Sequence, residues 1–391
     1  MQMIITIVAD VFGEENNGTT ITIKRLIEGL ISRGHTVKVV SPLLDKQSKN
    51  PQYFTVGKRD FGIFNPYIAK NGVELGKPEV DVIKQAIIGS DIVHIELPFK
   101  MGKAAIKICN ELNIPFTTAF HCQPENFSSH LGLKNSALFN RLIYYYFKQK
   151  FYKHADYIHC PTEFIANELD KHNYKAKKFA ISNGVIPTYR PEKTNKPQEL
   201  EDKFCVLFVG RLSREKRHDL LIKAMKHSKY ADKIQLIFAG RGPLQEKLTK
   251  MGKKLKNQPI INFYSKEDLA KIINFCDLYC HPSDVEIEAI SCIEALTCGL
   301  VPVISNSKKS ATRFFALDDR CLFKAGNAKN LAQKIDYFIE HPQEKFELGE
   351  KYKVYAKRFN IENSIDDMLK MFEQAIIDKK LLNEQKQDII A

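Results

Sequence analysis

The sequence predicts an α/β protein made of two Rossmann-like domains. Its 391 residues are enough for two domains. Continuous apolar, β-branched runs alternate with helical patterns, which is typical of parallel strands buried on both faces. This alternation begins again after a polar stretch with three prolines at 187–201. We therefore predict a first domain at 1–187, a second at 188–362 and a C-terminal helical segment at 363–391.

The first domain opens with a strand at 3–9, a loop at 10–17 and a helix that follows Gly18. Gly18 either allows the backbone to approach a ligand closely or only eases the turn. His121 follows a predicted strand at 116–120. Ligands of parallel α/β sheets gather at the carboxyl ends of strands, so this position favours a functional role for the histidine. Further strands are predicted at 36–41, 91–95, 157–160 and 180–182.

The second domain restarts with a strand at 204–209 that ends at Gly210. Arg211 and Lys216 follow, just before a helix predicted at 219–225. Two cations after a strand-end glycine, near a helix N-terminus, suit a bound phosphate. A solvated basic loop is the alternative. Gly240 and Tyr264 come at the ends of two later strands, predicted at 234–239 and 260–263.

The stretch 276–305 organises the second domain and reads as strand, loop, helix, turn and strand. Apolar residues at 289, 290, 293, 295 and 296 share one helical face. Glu286 lies before this helix and Glu294 within its body, so both could point to the ligand-binding edge of the sheet. The spacing alone favours two solvated carboxylates. The surrounding sequence, with HPS before and CGLVPVIS after, strengthens the functional interpretation.

This stretch resembles the signature of the retaining glycosyltransferases of family 4. The matching residues are Pro282, Ser283, Glu286, Glu294, Ala295, Gly299, Pro302, Val303 and Ile304. The G-R-L-x-x-E-K run from Gly210 to Lys216 and the R-G-H-x-V run from Arg33 to Val37 also match the family. Two departures stand out. Ala289 replaces the usual glycine, and the Gly-Gly that often follows the last strand is absent.

The resemblance implies the GT-B fold, with two Rossmann-like domains facing a central cleft and a C-terminal segment that crosses back to the first domain. It implies that Glu294 binds the ribose, that Glu286 and the following amides bind the sugar, and that Arg211 with Lys216 takes up the diphosphate charge in place of a metal. It places the base near Tyr264, and His121 near the transferred sugar. The implied donor-binding set is Gly18, Gly210, Arg211, Lys216, Gly240, Tyr264, Glu286, Ile290 and Glu294, and the implied catalytic set is His121, Arg211, Lys216 and Glu286.

The chain is strongly basic, with a formal net charge of +13 and a pI of about 9.1. Such a charge favours an anionic partner, namely nucleic acid, an acidic membrane surface or a phosphorylated substrate. A lysine-rich composition without functional meaning is the alternative. No run of about 18 apolar residues occurs, so no transmembrane helix is expected. The nine cysteines form no CxxC pair, which favours reduced thiols and a cytoplasmic protein.

Residues 126–155 contain no Asp or Glu and mix aromatic with basic side chains. This composition suits a membrane interface, where rings lie at headgroup level and cations meet anionic lipid. The candidate membrane-binding residues are Arg141, Lys148, Lys150 and Lys153. A core-packed helix with a basic solvated face is the alternative. Binding of RNA has no supporting motif, and we expect no nucleic-acid partner.

The sequence thus predicts a retaining hexosyltransferase that uses a nucleoside-diphosphate sugar, with UDP-glucose or UDP-galactose as the expected donors. The resemblance to glycolipid-forming members of the family favours a membrane lipid acceptor such as diacylglycerol. We expect no metal or other cofactor, and peripheral association with the inner face of the membrane. The alternatives are a capsule or cell-wall polysaccharide glycosyltransferase with a UDP- or GDP-sugar donor, and a non-catalytic membrane- or RNA-binding protein on the same fold.

Overall fold

The structure, a computed structural model, describes residues 2–12, 18–42, 49–62, 65, 75–130, 133 and 135–390. The chain forms two compact units, one of residues 1–183 with 361–391 and one of residues 184–360. The sequence placed these boundaries at 187/188 and 362/363. Of the predicted loop at 10–17, residues 13–17 lie outside the described part.

The first unit is built on seven parallel strands in the order β3-β2-β1-β4-β5-β6-β7. The central strand β1 pairs on both sides, with Ile5 opposite Val37 of β2 and Ile92 of β4. Its side chains are buried on both faces of the sheet, which explains its continuous apolar run. The strands are β1 (Ile4–Val8), β2 (Thr36–Pro42), β3 (Gln52–Val56), β4 (Ile92–Ile95), β5 (Phe116–Ala119), β6 (Tyr157–Cys160) and β7 (Lys177–Ala180).

Helices pack against this sheet and include the end of the chain. They are α1 (Gly18–Ser32), α2 (Val80–Ile87), α3 (Lys100–Glu111), α4 (Pro124–His130), α5 (Ala137–Lys150), α6 (Glu163–Lys171) and the long terminal helix α13 (Ile361–Ile390). Helix α13 lies on α1, where Ile365 fills the space that a side chain at Gly29 would need. Arg33 at the end of α1 also pairs with Glu362 and Asp366 of α13.

The second unit has six parallel strands in the order β10-β9-β8-β11-β13-β15, and a separate parallel pair, β12-β14. The strands are β8 (Phe204–Val209), β9 (Ile234–Ala239), β10 (Ile260–Asn262), β11 (Leu278–His281), β12 (Val285–Glu286), β13 (Pro302–Ser305), β14 (Lys309–Ser310) and β15 (Leu322–Phe323). The helices are α7 (His218–Ala224), α8 (Gln245–Gly252), α9 (Lys266–Phe275), α10 (Ile290–Thr297), α11 (Ala328–Glu340) and α12 (Pro342–Ala356). Buried aromatic rings such as Phe208, Phe238 and Tyr279 fill its core.

The prediction of two Rossmann-like α/β domains is therefore confirmed, and one predicted strand is displaced. The last strand of the first sheet is Lys177–Ala180 and not 180–182. It is an edge strand with two lysines and little buried surface, so its sequence lacks the apolar run that marks the inner strands. Helix α10 begins at Ile290, and Ser283 and Asp284 lie in the loop ahead of β12. Among the described residues, no helix is both long and apolar enough to cross a membrane.

Candidate active site

The site of the second unit lies where strand order reverses. The central strands β8 and β11 are neighbours, and their helical connections leave in opposite directions along the sheet. Such a switch point opens a crevice at the carboxyl ends of the strands, where ligands of α/β folds bind. Arg211 and Lys216 follow β8 there, and Glu286 follows β11 on the short strand β12.

Lys216, Glu286 and His281 form one charged cluster at this edge. Lys216 Nζ lies 2.7 Å from Glu286 Oε1, and His281 Nε2 lies 2.9 Å from the same oxygen. Glu286 is buried. Burial by itself raises the pKa of this carboxyl, but the Lys216 ammonium and the His281 hydrogen bond outweigh it and lower the pKa to about 2. The carboxylate is therefore ionised at neutral pH and already holds a cation.

A buried relay behind Glu286 fixes the orientation of His281. Tyr279 OH lies 3.0 Å from His281 Nδ1 and 3.2 Å from Ser291 Oγ. Ser291 on α10 in turn donates to the carbonyl of Val209 at the end of β8. The relay thus connects β11, α10 and β8 with Glu286. Sequence reasoning missed His281 and Tyr279, and the weak available signal was two polar ring side chains at alternate positions of a buried strand.

Backbone pairing holds Glu286 in place. Strand β12 pairs with β14, so Glu286 stands opposite Ser310. The residue before β12, Asp284, donates its amide N–H to the Glu215 carbonyl and accepts from the Arg217 guanidinium at 3.1 Å. The loop after β8 and the loop after β11 are therefore tied together, and the carboxylate has little freedom to move.

Arg211 is oriented by Glu215, a residue of the G-R-L-x-x-E-K run to which sequence reasoning assigned no role. Its guanidinium donates to Glu215 Oε1 at 3.1 Å, and the Ser213 hydroxyl donates to the same oxygen at 2.5 Å. Glu215 is buried; burial raises its pKa, but Arg211 and then Ser213 bring it below the ordinary value. Arg211 is about one fifth exposed, so its charge remains available to an anion. Glu215 thus acts as an anchor for the arginine.

Glu294 is buried within α10, and Ile290 is the half-buried first residue of that helix. The residue before the helix, Ala289, has a φ of 68° and a ψ of 73°, the left-handed conformation that glycine adopts without strain. The structure therefore gives a physical reason for glycine at this position in the family. Here the alanine keeps the same backbone shape at a cost in strain.

Gly210 and Gly240 end the neighbouring strands β8 and β9. A Cβ at Gly240 would lie 2.1 Å from the Gly210 carbonyl oxygen, so only glycine allows the two loops this close. The loops also exchange backbone hydrogen bonds, from Leu212 to Arg241 and from Leu244 to Leu212. Gly240 therefore has a packing role that positions the Arg211 loop. Tyr264 follows β10 at the same edge and is half-buried.

The remaining predicted site residues lie in the first unit. Gly18 begins α1 with no atom near its missing side chain. His121 follows β5, and its Nε2 atom lies 3.1 Å from Oε2 of the buried Glu96, which follows β4. The structure thus brings Lys216 and Glu286 together in one unit and places His121 beside a carboxylate that sequence reasoning missed.

Helix α5 carries an exposed apolar stripe. Leu138, Leu142, Tyr145 and Tyr146 are 70%, 56%, 59% and 51% exposed, and their spacing puts them on one helical face. We call this surface the α5 stripe. The opposite face, with Tyr144 and Phe147, is buried.

The candidate membrane-binding cations surround the α5 stripe unequally. At 100° per residue, Arg141 and Lys148 flank it on one side and Lys150 on the other. Arg141, Lys150 and Lys153 are exposed. Lys148 is half-buried and donates a hydrogen bond to the carbonyl of His172 at 3.3 Å, so its ammonium group is already partly engaged within the protein.

Two family models together span most of the chain. The first, Glycosyltransferase Family 4, matches residues 16–189, and the second, Glycosyl transferases group 1, matches residues 190–359. The chain belongs to glycosyltransferase family 4. The recognition drawn from the 276–305 stretch is thereby confirmed.

Characterised relatives of this family 4 chain include two alpha-monoglucosyldiacylglycerol synthases. The Streptococcus pneumoniae enzyme is 26% identical over 55% of this chain and 52% of its own length. The Acholeplasma laidlawii enzyme is 23% identical over 74% of this chain and 76% of its own. The chain thus aligns with about half of the first and three quarters of the second.

Solved structures show the same fold. Anabaena HepE, solved with UDP and glucose, is 15% identical, covers 95% of this family 4 chain and all of its own, and superposes with a TM-score of 0.74. The fold is GT-B. The catalytic domain of cholesterol-alpha-glucosyltransferase from Helicobacter pylori is 42% identical over 40% of this chain and 99% of its own, with a TM-score of 0.39.

Cysteines and possible metal ligands complete the site description. All nine cysteines are free thiols. Cys276 and Cys280 are buried, and burial raises the pKa of both thiols well above the ordinary value, so neither is a reactive thiolate. Within the described ranges, no three His, Cys, Asp or Glu side chains form a group that could hold a metal ion.

Proposed function

We propose that the protein transfers a hexose from a nucleoside-diphosphate sugar to the hydroxyl of a membrane lipid, with retention at the anomeric carbon. UDP-glucose or UDP-galactose is the proposed donor, and diacylglycerol the proposed acceptor. The bond between the anomeric carbon and the diphosphate oxygen breaks as the bond to the acceptor oxygen forms on the same face. The acceptor proton passes to a phosphate oxygen of the leaving nucleoside diphosphate.

The donor half of the proposal rests on the cluster at the edge of the second sheet. Negative charge builds on the leaving diphosphate, so preorganised cations there stabilise the transition state most. Arg211, held by Glu215, and Lys216, held by Glu286, are such cations. We propose that they serve in place of a metal ion and that Glu286 and Glu294 bind the sugar and ribose hydroxyls. His121, in the first unit, is proposed to contact the transferred sugar.

The lipid half rests on one observation, the α5 stripe with its flanking cations. Four large apolar or aromatic side chains exposed side by side on a single helix are costly in water and suit insertion at the level of lipid headgroups. The absence of acidic residues from the segment 126–155 and the net charge of +13 favour an anionic lipid surface. We therefore propose peripheral binding to the cytoplasmic face of a membrane, and the two synthases named above provide a functional analogy.

The test of the reaction is a transfer assay with purified protein. UDP-glucose, UDP-galactose and GDP-mannose are each offered with anionic vesicles that contain diacylglycerol, a sterol or neither. We expect one donor to yield a lipid-linked sugar in α configuration with diacylglycerol. A product with the sterol alone would move the acceptor to that class. Donor hydrolysis with no lipid product would contradict the lipid acceptor and favour a polysaccharide glycosyltransferase, and no hydrolysis of any donor would contradict the enzyme.

The membrane part has its own test, because the chain contains no tryptophan. Leu138→Trp places a single fluorophore on the α5 stripe, and Phe346→Trp places one at a 62% exposed position on α12 as the matched control. We expect the emission of the first variant to shift to shorter wavelength with anionic vesicles, less so with zwitterionic ones, and the control to remain unchanged. Equal responses from both variants would contradict docking through α5.

A further inference from the structure

Backbone strain in the described residues is concentrated around the charged cluster. Four of these residues have a positive φ although they are not glycine. Two are asparagines, which tolerate the left-handed conformation. The other two are Arg217, directly after Lys216, and Ala289, three residues after Glu286. Strain of this kind persists only where the surrounding structure holds it, and it gathers at functional sites.

The side chain of Arg217 explains why an arginine stands at a strained position. Its φ of 57° and ψ of 36° would suit glycine without cost. The guanidinium, however, donates from Nε to Asp219 Oδ1 at 3.1 Å and from Nη1 to Asp284 Oδ2 at 3.1 Å. These two contacts hold the arginine in a conformation that it would otherwise avoid.

Two ion pairs therefore join the same two loops side by side. Lys216 and Arg217 are successive residues after β8, and they pair with Glu286 and Asp284 respectively, which stand at alternate positions after β11. The first pair consists of two groups that the proposed donor needs. The second pair, which we call the Arg217–Asp284 clamp, consists of two groups that the proposed donor does not need.

Asp284 is fixed through its backbone as well as through its side chain. Its amide N–H donates to the Glu215 carbonyl at 2.9 Å, and its carbonyl accepts from the Ser307 hydroxyl at 2.5 Å. Glu286 follows two residues later along extended backbone, which spans only about 3.3 Å per residue and has little slack. The position of Asp284 therefore determines where the Glu286 carboxylate can lie.

We infer that Arg217 is a positioning residue for the donor reaction, because through Asp284 it holds Glu286 in place when Lys216 turns to the diphosphate. An ammonium has three N–H donors, so a phosphate that binds Lys216 competes with Glu286 for them. The clamp is not subject to this competition. The inference rests on the proposed function and adds to it a residue that acts without touching the donor.

Hydrogen exchange tests the clamp without any substrate. Arg217→Gly removes the clamp and the left-handed strain together, so the fold should be retained. We expect the amides at 285–289 to exchange about tenfold faster in this variant and strand β8 to exchange as in the wild type. Asn173→Gly changes another left-handed residue, with a φ of 58° in the first unit, and as the matched control should change neither segment. Unchanged exchange at 285–289, or faster exchange throughout the second unit, would overturn the inference.

A kinetic test distinguishes positioning from direct contact with the donor. It uses whichever of UDP-glucose, UDP-galactose and GDP-mannose the wild-type protein hydrolyses. We expect Arg217→Gly and Asp284→Asn each to lower kcat about tenfold and to leave the donor KM within about twofold, because Glu286 loses its alignment while Arg211 and Lys216 still hold the diphosphate. The double variant should be no slower than the slower single variant, since both changes remove the same contact.

The possible outcomes are distinct. A slow Arg217→Gly beside a normal Asp284→Asn would mean that the arginine contacts the donor itself, and would overturn the inference. Strictly additive effects in the double variant, or a rise in donor KM with unchanged kcat, would overturn it as well. A wild-type protein that hydrolyses no donor would contradict the proposed function, and hydrogen exchange would still decide whether Arg217 holds the segment 285–289.

Discussion

Lys216 Nζ lies 2.7 Å from Glu286 Oε1, so the lysine proposed for the diphosphate rests on the carboxylate proposed for the sugar. In the proposed reaction, this one ammonium would therefore lie between the leaving diphosphate and the transferred sugar. The pair is largely buried, with 21% and 8% of the two side chains exposed. Such a pair is expensive to break from one side, because the remaining charge stays buried without compensation.

The first prediction concerns this pair. Lys216→Met should lower donor binding and hydrolysis by roughly 10- to 100-fold, which corresponds to the loss of one hydrogen bond to a charged group. It should also lower the free energy of unfolding by about 3 kcal/mol, since Glu286 is left with His281 alone. Urea denaturation and donor hydrolysis measure the two effects.

The control and the double variant make this prediction specific. Lys223→Met removes a half-exposed lysine that pairs with Asp219 on the protein surface, and should change neither quantity appreciably. In Lys216→Met with Glu286→Gln, stability should recover toward that of the wild type while hydrolysis stays low. A double variant less stable than Lys216→Met alone would contradict the burial argument.

The fold could be predicted wherever burial alone decides the sequence. Strands β6, β8 and β9 have the predicted bounds, because burial on both faces of a strand demands an apolar run. The edge strand β3 was not predicted, and β7 was placed too late in the chain, because an edge strand needs few apolar residues and tolerates lysine. A run of apolar residues therefore indicates that a segment is buried, and it indicates a strand only where that strand is an inner one.

Site residues could be predicted where they stand in a local sequence motif. They could not be predicted where they come together only through packing of the folded chain. Arg211, Lys216 and Glu286 stand in motifs next to strand ends. Apart from Glu215, which belongs to the same motif as Arg211, their supporting residues stand in no motif. Glu96 becomes a neighbour of His121 only because β4 and β5 are adjacent in the sheet, and Tyr279 reaches Ser291 only after α10 folds onto β11. These contacts join residues that no local pattern connects.

The second prediction concerns the left-handed residue before α10. Ala289→Gly should raise the free energy of unfolding by about 0.5–1 kcal/mol, because removing the left-handed strain outweighs the greater freedom of glycine in the unfolded chain. Ala270→Gly, in the interior of α9, is the matched control and should lower stability by about 1 kcal/mol. Destabilisation by both changes would contradict the left-handed conformation at Ala289.

The third prediction concerns Asp10, which is buried at the end of β1. Burial raises the pKa of Asp10 to about 7, although the Met101 and Gly102 amides oppose this. The folded state therefore binds a proton that the unfolded chain releases near pH 4, so stability should fall as the pH rises from about 4 to about 7. Asp10→Asn should remove this slope and should be more stable relative to the wild type at pH 8 than at pH 4.

Thermal unfolding across this pH range measures the slope. Asp81→Asn at an exposed position in the first turn of α2 provides the control and should reproduce the wild-type profile. A slope that persists in Asp10→Asn would assign the pH dependence to other groups.

The last prediction separates two glycines that the sequence placed together at the donor site. Gly240→Ala would bring a methyl group to 2.1 Å from the Gly210 carbonyl oxygen, so the loop that carries Arg211 must move. We expect stability and donor hydrolysis to fall together. Gly18→Ala meets no atom within 4 Å and stands at the first position of α1, where alanine is tolerated, so stability should hold or rise slightly. A higher donor KM in Gly18→Ala at unchanged stability would then show that the donor approaches this backbone. An unchanged donor KM would show that Gly18 serves only to begin helix α1.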